Sequence, residues 1–381
     1  MKRLLSLITV IVLMTSCSKI PDFDCMGRDR FPTNELVTNE KAKQIADLCC
    51  KYSNDKKVPA IQVSIVDRFG DTWTLSTGTT DKKRKNAVTN EHIFRLASIT
   101  KTYTATIIIK LIEEGKLSLD GKLTEYFPNF ENAPNVTIQN LLNHSSGIKE
   151  LLTLPDILTS STFFTDKIWN ANEIVETIAK KDLVFETGTE YQYSNTNTVI
   201  LGLIAEQVSG KKMEELYDEY IFEPLQIDNI KLLPQQSKPE LLISGYDRAL
   251  LPTPGLYEVS PENTAWASSA FTSGALVGNS ETTAIFFHNL LMEKIVNENS
   301  LSTMKTFGQP NTIDNEHLSD FGLGLFKYHI NGNVYYGHEG LFVGFDNIAC
   351  FREKDKVTIV IFANMSSYDK FDLLKEIDNI L

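Results

Sequence analysis

Metal-binding signatures are missing from this 381-residue chain. It has six His and five Cys, yet no Cys-x-x-Cys, no His-Glu-x-x-His and no Cys/His cluster at ligand spacing, which leaves a zinc hydrolase without support. Basic charge is also short. The 37 Lys and Arg face 49 Asp and Glu, a formal net charge of −12, which argues against a nucleic-acid surface. Past the first residues no run is long and apolar enough to cross a bilayer. Internal repeats and low-complexity stretches are absent too. What is there, 42% hydrophobic and 23% charged, is an ordinary globular composition with ample chain for a large core, as one large domain or two of medium size.

The chain opens MKRLLSLITVIVLMTSC. Lys2 and Arg3 form a positive start, and Leu4 to Met14 form an apolar core too short to span a membrane as a stable helix. Thr15 and Ser16 then lead to Cys17. The run Met14-Thr15-Ser16-Cys17 resembles a bacterial lipobox, although Met fits its first position less well than Leu. The expectation is a signal peptide over 1–16, a lipidated Cys17 with a polar tether to residue 38, and a catalytic domain over 39–381. That makes the protein an exported bacterial lipoprotein of the cell envelope, held to the membrane by a lipid anchor, with a plain secretory signal as the alternative. Cys25, Cys49, Cys50 and Cys350 would then sit in an oxidising compartment. Adjacent Cys49 and Cys50 point different ways, so at most one reaches Cys25 easily.

A helix is predicted over about 40–52. The stretch VPAIQVSIVDRFGDTWTLSTGTTD alternates around a Gly-Asp turn and predicts a hairpin. From about 116 to 320 the chain is helix-rich, clearest at 198–210 and 282–296. Strand signals return in FGLGLFKYHI, NVYYGH, GFDNIACFR and KVTIVIFAN, and an amphipathic helix over about 368–380 closes the chain. Strands at both ends with helices between predict an α/β (α+β) fold: one antiparallel sheet built from both termini, flanked by helices, with a helical insertion.

One lysine is out of place. In FRLASITKTYTATIIIKLIEEG, at about 100° per residue, Lys101 shares a stripe with Ala105, Ile108 and Ile112. Thr102, Thr106, Lys110, Glu113 and Glu114 gather on the opposite face. An ammonium on the buried face costs free energy unless it is paired, deprotonated or put to use. Ser98 lies three residues earlier, on the same side of the first turn. A hydroxyl beside a lysine whose charge is disfavoured is a candidate activated nucleophile; a lysine that snorkels to water is the plain alternative. Spacing alone decides nothing, because Ser-x-x-Lys starts at Ser16, Ser53, Ser98, Ser146, Ser209, Ser302 and Ser367.

The surroundings decide. FRLASITKTYTA, EEGKLSLDGKLTEYFPNF, VTIQNLLNHSSGI, YSNTNTVILGLIAEQVSG, SGALVGNSETTAIFFHNLL and YYGHEGLFVGFDN together resemble the serine β-lactamase-like superfamily. The motifs follow the family's order from about residue 40 to the C-terminus. The superfamily includes class C β-lactamases, D-alanyl-D-alanine carboxypeptidases and related esterases. The resemblance implies Ser98 as nucleophile, with Lys101 and Tyr193 as a coupled proton relay whose first base stays open. Asn195, in Tyr193-Ser194-Asn195, would bond Lys101 and the substrate amide. A second such triplet, Tyr52-Ser53-Asn54, reads as surface.

Where class C enzymes carry Lys-Thr-Gly, this chain has His338-Glu339-Gly340. A His is mostly neutral at pH 7, so the departure favours the carboxypeptidases and broader hydrolases over β-lactam hydrolysis. His338 is expected to contact a substrate carboxylate, with a pKa near 6.5 if unperturbed; a histidine that only packs or bonds locally is the plain alternative. The resemblance further implies an oxyanion hole from the backbone N–H groups of Ser98 and Leu341, with Gly340 leaving room for the substrate. The function expected is a serine hydrolase acting on amides or esters through an acyl-enzyme, D-alanyl-D-alanine carboxypeptidase-like or a related peptidase or esterase, with no metal or organic cofactor. The alternatives are a weak β-lactamase and a non-catalytic penicillin-binding lipoprotein. The partners expected are a peptide, ester or β-lactam substrate and no nucleic acid.

Overall fold

The computed structural model describes residues 34–381, leaving aside 56, 82–85, 164, 234–238, 248–255, 260–263, 311–315 and 367. The predicted leader, Cys17 and most of the tether lie outside the described residues.

Both ends of the chain build one antiparallel sheet. Its strands run in the spatial order Thr72–Gly78, Ala60–Val66, Val357–Ala363, Phe345–Arg352, Asn333–Phe342, Phe326–Ile330, Leu318–Phe321 and Gln309–Pro310. The N-terminal hairpin joins the C-terminal strands through Ala60–Val66, where Ile61 faces Ala363 and Ile65 faces Ile359. Both faces of this seam are covered, so the strand Val357–Ala363 is buried along its whole length and, apart from Thr358, apolar rather than alternating. Ile359 and Ile361 enter one core, against helices Asn39–Asp55 and Lys370–Ile380. Val360 and Phe362 enter the other, against helix Ser280–Leu291 and the helical insertion. The polar residues Gln62 and Ser64 of the first strand are buried on this second side. They are satisfied there, Ser280 N donating to Gln62 Oε1 at 3.1 Å and the Ser64 and Ser280 hydroxyls meeting at 2.8 Å.

Two helix expectations need correction. The predicted 282–296 helix ends at Leu291, five residues short. Helix Thr100–Glu113 is amphipathic only at its C-terminal end: the first half of its supposed polar face is enclosed, with Thr102 and Thr106 fully buried, while Lys110, Glu113 and Glu114 reach solvent. The two threonine hydroxyls bond carbonyls instead, Thr102 to Gly324 O and Thr106 to Thr102 O, both at 2.8 Å. The helix therefore runs through the middle of the molecule, between the sheet and the insertion. Gly115, with φ +71°, terminates it in the left-handed conformation that glycine adopts without strain.

Tyr52-Ser53-Asn54 is not a surface triplet either. Tyr52 and Ser53 are buried under the sheet, and Ser53 Oγ donates to Val58 O at 2.8 Å. Cys50 is disulfide-bonded, while Cys49 and Cys350 are buried thiols. No helix among the described residues is long and apolar enough to cross a membrane.

Candidate active site

Ser98 sits in a single 3-10 turn, Ala97–Ile99, that runs into the α-helix at Thr100. Ala97 holds φ +50°, a sparsely populated conformation for a residue with a Cβ, and strain of this kind persists where the surroundings over-determine it. The turn presents Ser98 to an open cleft, while Lys101 lies in the first turn of the helix and is 2% exposed. Snorkelling is thereby ruled out for Lys101.

The ammonium position is set by three acceptors. Lys101 Nζ donates to Ser273 O at 2.7 Å, to Asn195 Oδ1 at 2.7 Å and to Ser98 Oγ at 3.1 Å. Two of these are carbonyl oxygens and can only accept; Ser98 alone can reverse the bond and donate. Burial lowers the Lys101 pKa from its usual value to about 7, opposed by the negative charge of Glu150. A neutral amine therefore keeps two N–H bonds to the carbonyls and turns its lone pair to the Ser98 hydroxyl. The ring of Tyr193 covers the same nitrogen, 4.8 Å from Nζ to the ring centroid. Burial pushes the Tyr193 phenol well above its usual value, with a hydrogen bond to Ser98 pulling the other way. The phenol thus keeps its proton at neutral pH, next to the nucleophile.

The sequence-predicted residues Ser98, Lys101, Tyr193 and Asn195 are brought together here. Two of the competing Ser-x-x-Lys runs are otherwise engaged: Ser209 Oγ bonds Ala205 O, and Lys370 pairs with Asp346 and Glu339 at 2.6 and 2.8 Å. Ser367 itself lies outside the described residues. The strand Asn333–Phe342 passes directly against the nucleophile turn. A Cβ on Gly340 would stand 2.1 Å from Leu96 O, so glycine is required for this approach. Leu341, the next residue, lines the cleft with Ser98.

His338 departs from expectation. It is completely buried, with Phe326 at 4.5 Å and Tyr193 at 6.4 Å between ring centroids. Nδ1 donates to Glu339 O at 2.6 Å, which fixes the neutral tautomer with the proton on Nδ1. Burial, reinforced by Lys101, lowers its pKa to about 3. An imidazole so enclosed carries no charge in the physiological range, so the expected pH-dependent contact with a carboxylate is not supported by this geometry.

Sequence reasoning missed four residues. Ser273 supplies only a backbone carbonyl, and Trp266 part of the cleft wall, neither visible in a pattern. His144, at φ +58° in the Asn-His-Ser-Ser-Gly loop, is buried under the Tyr193 ring at 4.6 Å. Its Nδ1 accepts the backbone N–H of Ser194 at 3.3 Å. Glu150 bonds Asn195 twice, accepting its backbone N–H and, at 3.0 Å, its Nδ2. The Asn195 amide is thus turned to Glu150 through nitrogen and to Lys101 through oxygen.

The rest of the cleft wall is apolar. Leu151, Leu152, Trp266, Ala270, Leu341 and Phe342 line it, Trp266 meeting Phe342 edge to face at 5.3 Å. Among the described residues, no group of three His, Cys, Asp or Glu is placed to hold a metal ion.

The family described as Beta-lactamase matches residues 42–378. The chain belongs to the Beta-lactamase family. Protein flp of Staphylococcus aureus strain MW2 is 24% identical over 341 residues, covering 87% of this chain and 64% of that protein, so the chain matches less than two thirds of that relative's length. Esterase EstB of Burkholderia gladioli is 30% identical over 175 residues, 43% of this chain and 44% of the esterase. In three dimensions the D-amino acid amidase of Ochrobactrum anthropi SV3 superposes with a TM-score of 0.79 at 24% identity, covering 90% of this chain and 98% of the amidase. That likeness establishes the shared fold.

Proposed function

We propose that this protein is a serine hydrolase that cleaves uncharged amides or esters through an acyl-enzyme on Ser98. The observation that carries the proposal is the Lys101 nitrogen, enclosed and held by two carbonyls with Ser98 as its remaining partner. Neutral Lys101 takes the Ser98 proton as Oγ attacks the carbonyl carbon. The tetrahedral oxygen is held by the N–H groups of Ser98 and Leu341. Protonated Tyr193 delivers a proton to the leaving group and is restored from Lys101. Water then hydrolyses the ester bond to Ser98 by the reverse relay.

The finer identity turns on charge. A D-alanyl-D-alanine carboxypeptidase or a penicillinase benefits from a cation for the substrate carboxylate. Here His338 is neutral, and the cleft wall among the described residues offers apolar side chains. This favours neutral esters and amides over a D-alanyl-D-alanine carboxypeptidase; an esterase and an amidase stand among the similar proteins. The test is a panel of neutral esters, amino acid amides, D-Ala-D-Ala peptides and penicillins with purified protein. Multiple turnover on neutral substrates with slow or no release from penicillin supports the proposal. A stable penicilloyl adduct without turnover of any substrate would instead mark a non-catalytic penicillin binder. We also propose export with a lipid on Cys17, which Cys17→Ser would abolish in a lipid-labelling experiment.

A further inference from the structure

Among the described residues Glu150 is the one carboxylate whose charge acts on Lys101, and its contacts are specific. It stands in the loop after helix Ile138–Leu142 and caps the 3-10 turn Leu151–Thr153, Oε1 accepting the Leu152 N–H at 3.0 Å. The same Oε1 accepts Asn195 Nδ2 at 3.0 Å, and Oε2 accepts the Asn195 backbone N–H. Asn195 in turn opens helix Asn195–Ser209, whose first residues include buried Thr196, Asn197 and Thr198. One side chain therefore ties together a cleft-lining turn, the second-motif helix and the amide that touches the lysine.

An asparagine beside a lysine has two orientations. With oxygen toward Nζ it accepts from either form of the amine. With nitrogen toward Nζ it repels an ammonium and competes for the lone pair of the neutral amine. A carboxylate has acceptors only, so it takes the nitrogen end and leaves the oxygen for Lys101. We propose that Glu150 is a positioning residue for the general base: it locks the Asn195 amide with its oxygen on Lys101 and supplies a negative charge that offsets the ammonium formed when Lys101 takes the proton. The proposal rests on the reading of Lys101 as base.

The other titratable groups around Lys101 do not do this. His144 and His338 are both held neutral, with burial as the larger cause and Lys101 adding to it. Tyr193 stays protonated. Lys101 itself feels burial first and Glu150 second, with opposite signs. Removing the carboxylate therefore lowers the Lys101 pKa further and weakens it as a base.

The experiment measures kcat/KM for a neutral ester, and the acylation rate with a neutral fluorophosphonate, from pH 5 to 9. It compares wild type, Glu150→Gln, Glu150→Asp and Asn195→Ala with and without Glu150→Gln. Ser98 labelling in wild type with a limb near pH 7 secures the underlying reading separately. In Glu150→Gln the acid limb should move down by about one pH unit, the usual effect of losing one nearby charge. The plateau should fall roughly 10- to 100-fold, less than the ~10²- to 10⁴-fold contributed by a general base itself, because Glu150 acts through Lys101. Glu150→Asp should restore part of the limb, and Glu150→Gln should add little once Asn195 is gone. An unmoved limb with only a lower melting temperature would overturn the proposal. So would a change confined to KM for substrates bearing an ammonium, because Glu150 would then be a substrate contact.

Discussion

Lys101 Nζ and Ser98 Oγ stand 3.1 Å apart in a lysine environment that is otherwise closed. The two remaining partners of the nitrogen are carbonyl oxygens, so the proton that can move is the one between this pair.

Burial of Lys101 links activity to stability. Its folded pKa is lowered to about 7 from 10.5, so between those values the unfolded chain binds more protons than the native one. Stability attached to this residue is thus lost as pH falls from 10.5 toward 7 and gained as pH rises. Denaturant unfolding of wild type and Lys101→Met at pH 7 and 9 should show wild type gaining about 2 kcal/mol relative to the variant. A constant difference would mean that Lys101 is charged throughout.

His338 should stay silent in titration. With a pKa near 3 and its proton on Nδ1, its ring resonances in a histidine-labelled sample should keep the positions of a neutral Nδ1–H imidazole between pH 5 and 8, with only a small displacement as Lys101 titrates at about 7. Accordingly kcat/KM for a carboxylate-bearing and a neutral substrate should keep a constant ratio across that range. A midpoint near 6.5 would restore the imidazole as a charge switch.

Gly340→Ala places a methyl group 2.1 Å from Leu96 O, and a backbone oxygen yields little. The strand and the nucleophile turn must separate. The expected result is a loss of about 1–3 kcal/mol in thermal unfolding, typical of overpacking, together with a fall in acylation rate. Unchanged melting and activity would show that the two segments are not in fixed register.

Much of the site was legible because its chemistry is local. Ser98 and Lys101 share one turn, and Tyr193 and Asn195 share one triplet. The interleaved sheet was legible because its strands are apolar runs bounded by turns at both ends of the chain. Glu150 was not legible, since its partner Asn195 lies 45 residues away and a lone glutamate in a loop signals nothing. The state of His338 was missed because a motif gives position along a strand but not what encloses it, here Phe326 and Tyr193. Thr102 and Thr106 misled for a related reason. Helical periodicity counts threonine as polar, but a hydroxyl bonded to a carbonyl is buried at little cost.

The central claim is that Ser98 is acylated by a neutral Lys101. It is tested most directly by following the second-order rate of labelling with a neutral fluorophosphonate against pH, with the adduct located by peptide mass spectrometry. The account predicts an adduct on Ser98 and a rate that rises through a single ionisation at about pH 7 to a plateau. An adduct on another serine, or a rate still rising toward pH 10 as for an ordinary lysine, would contradict it.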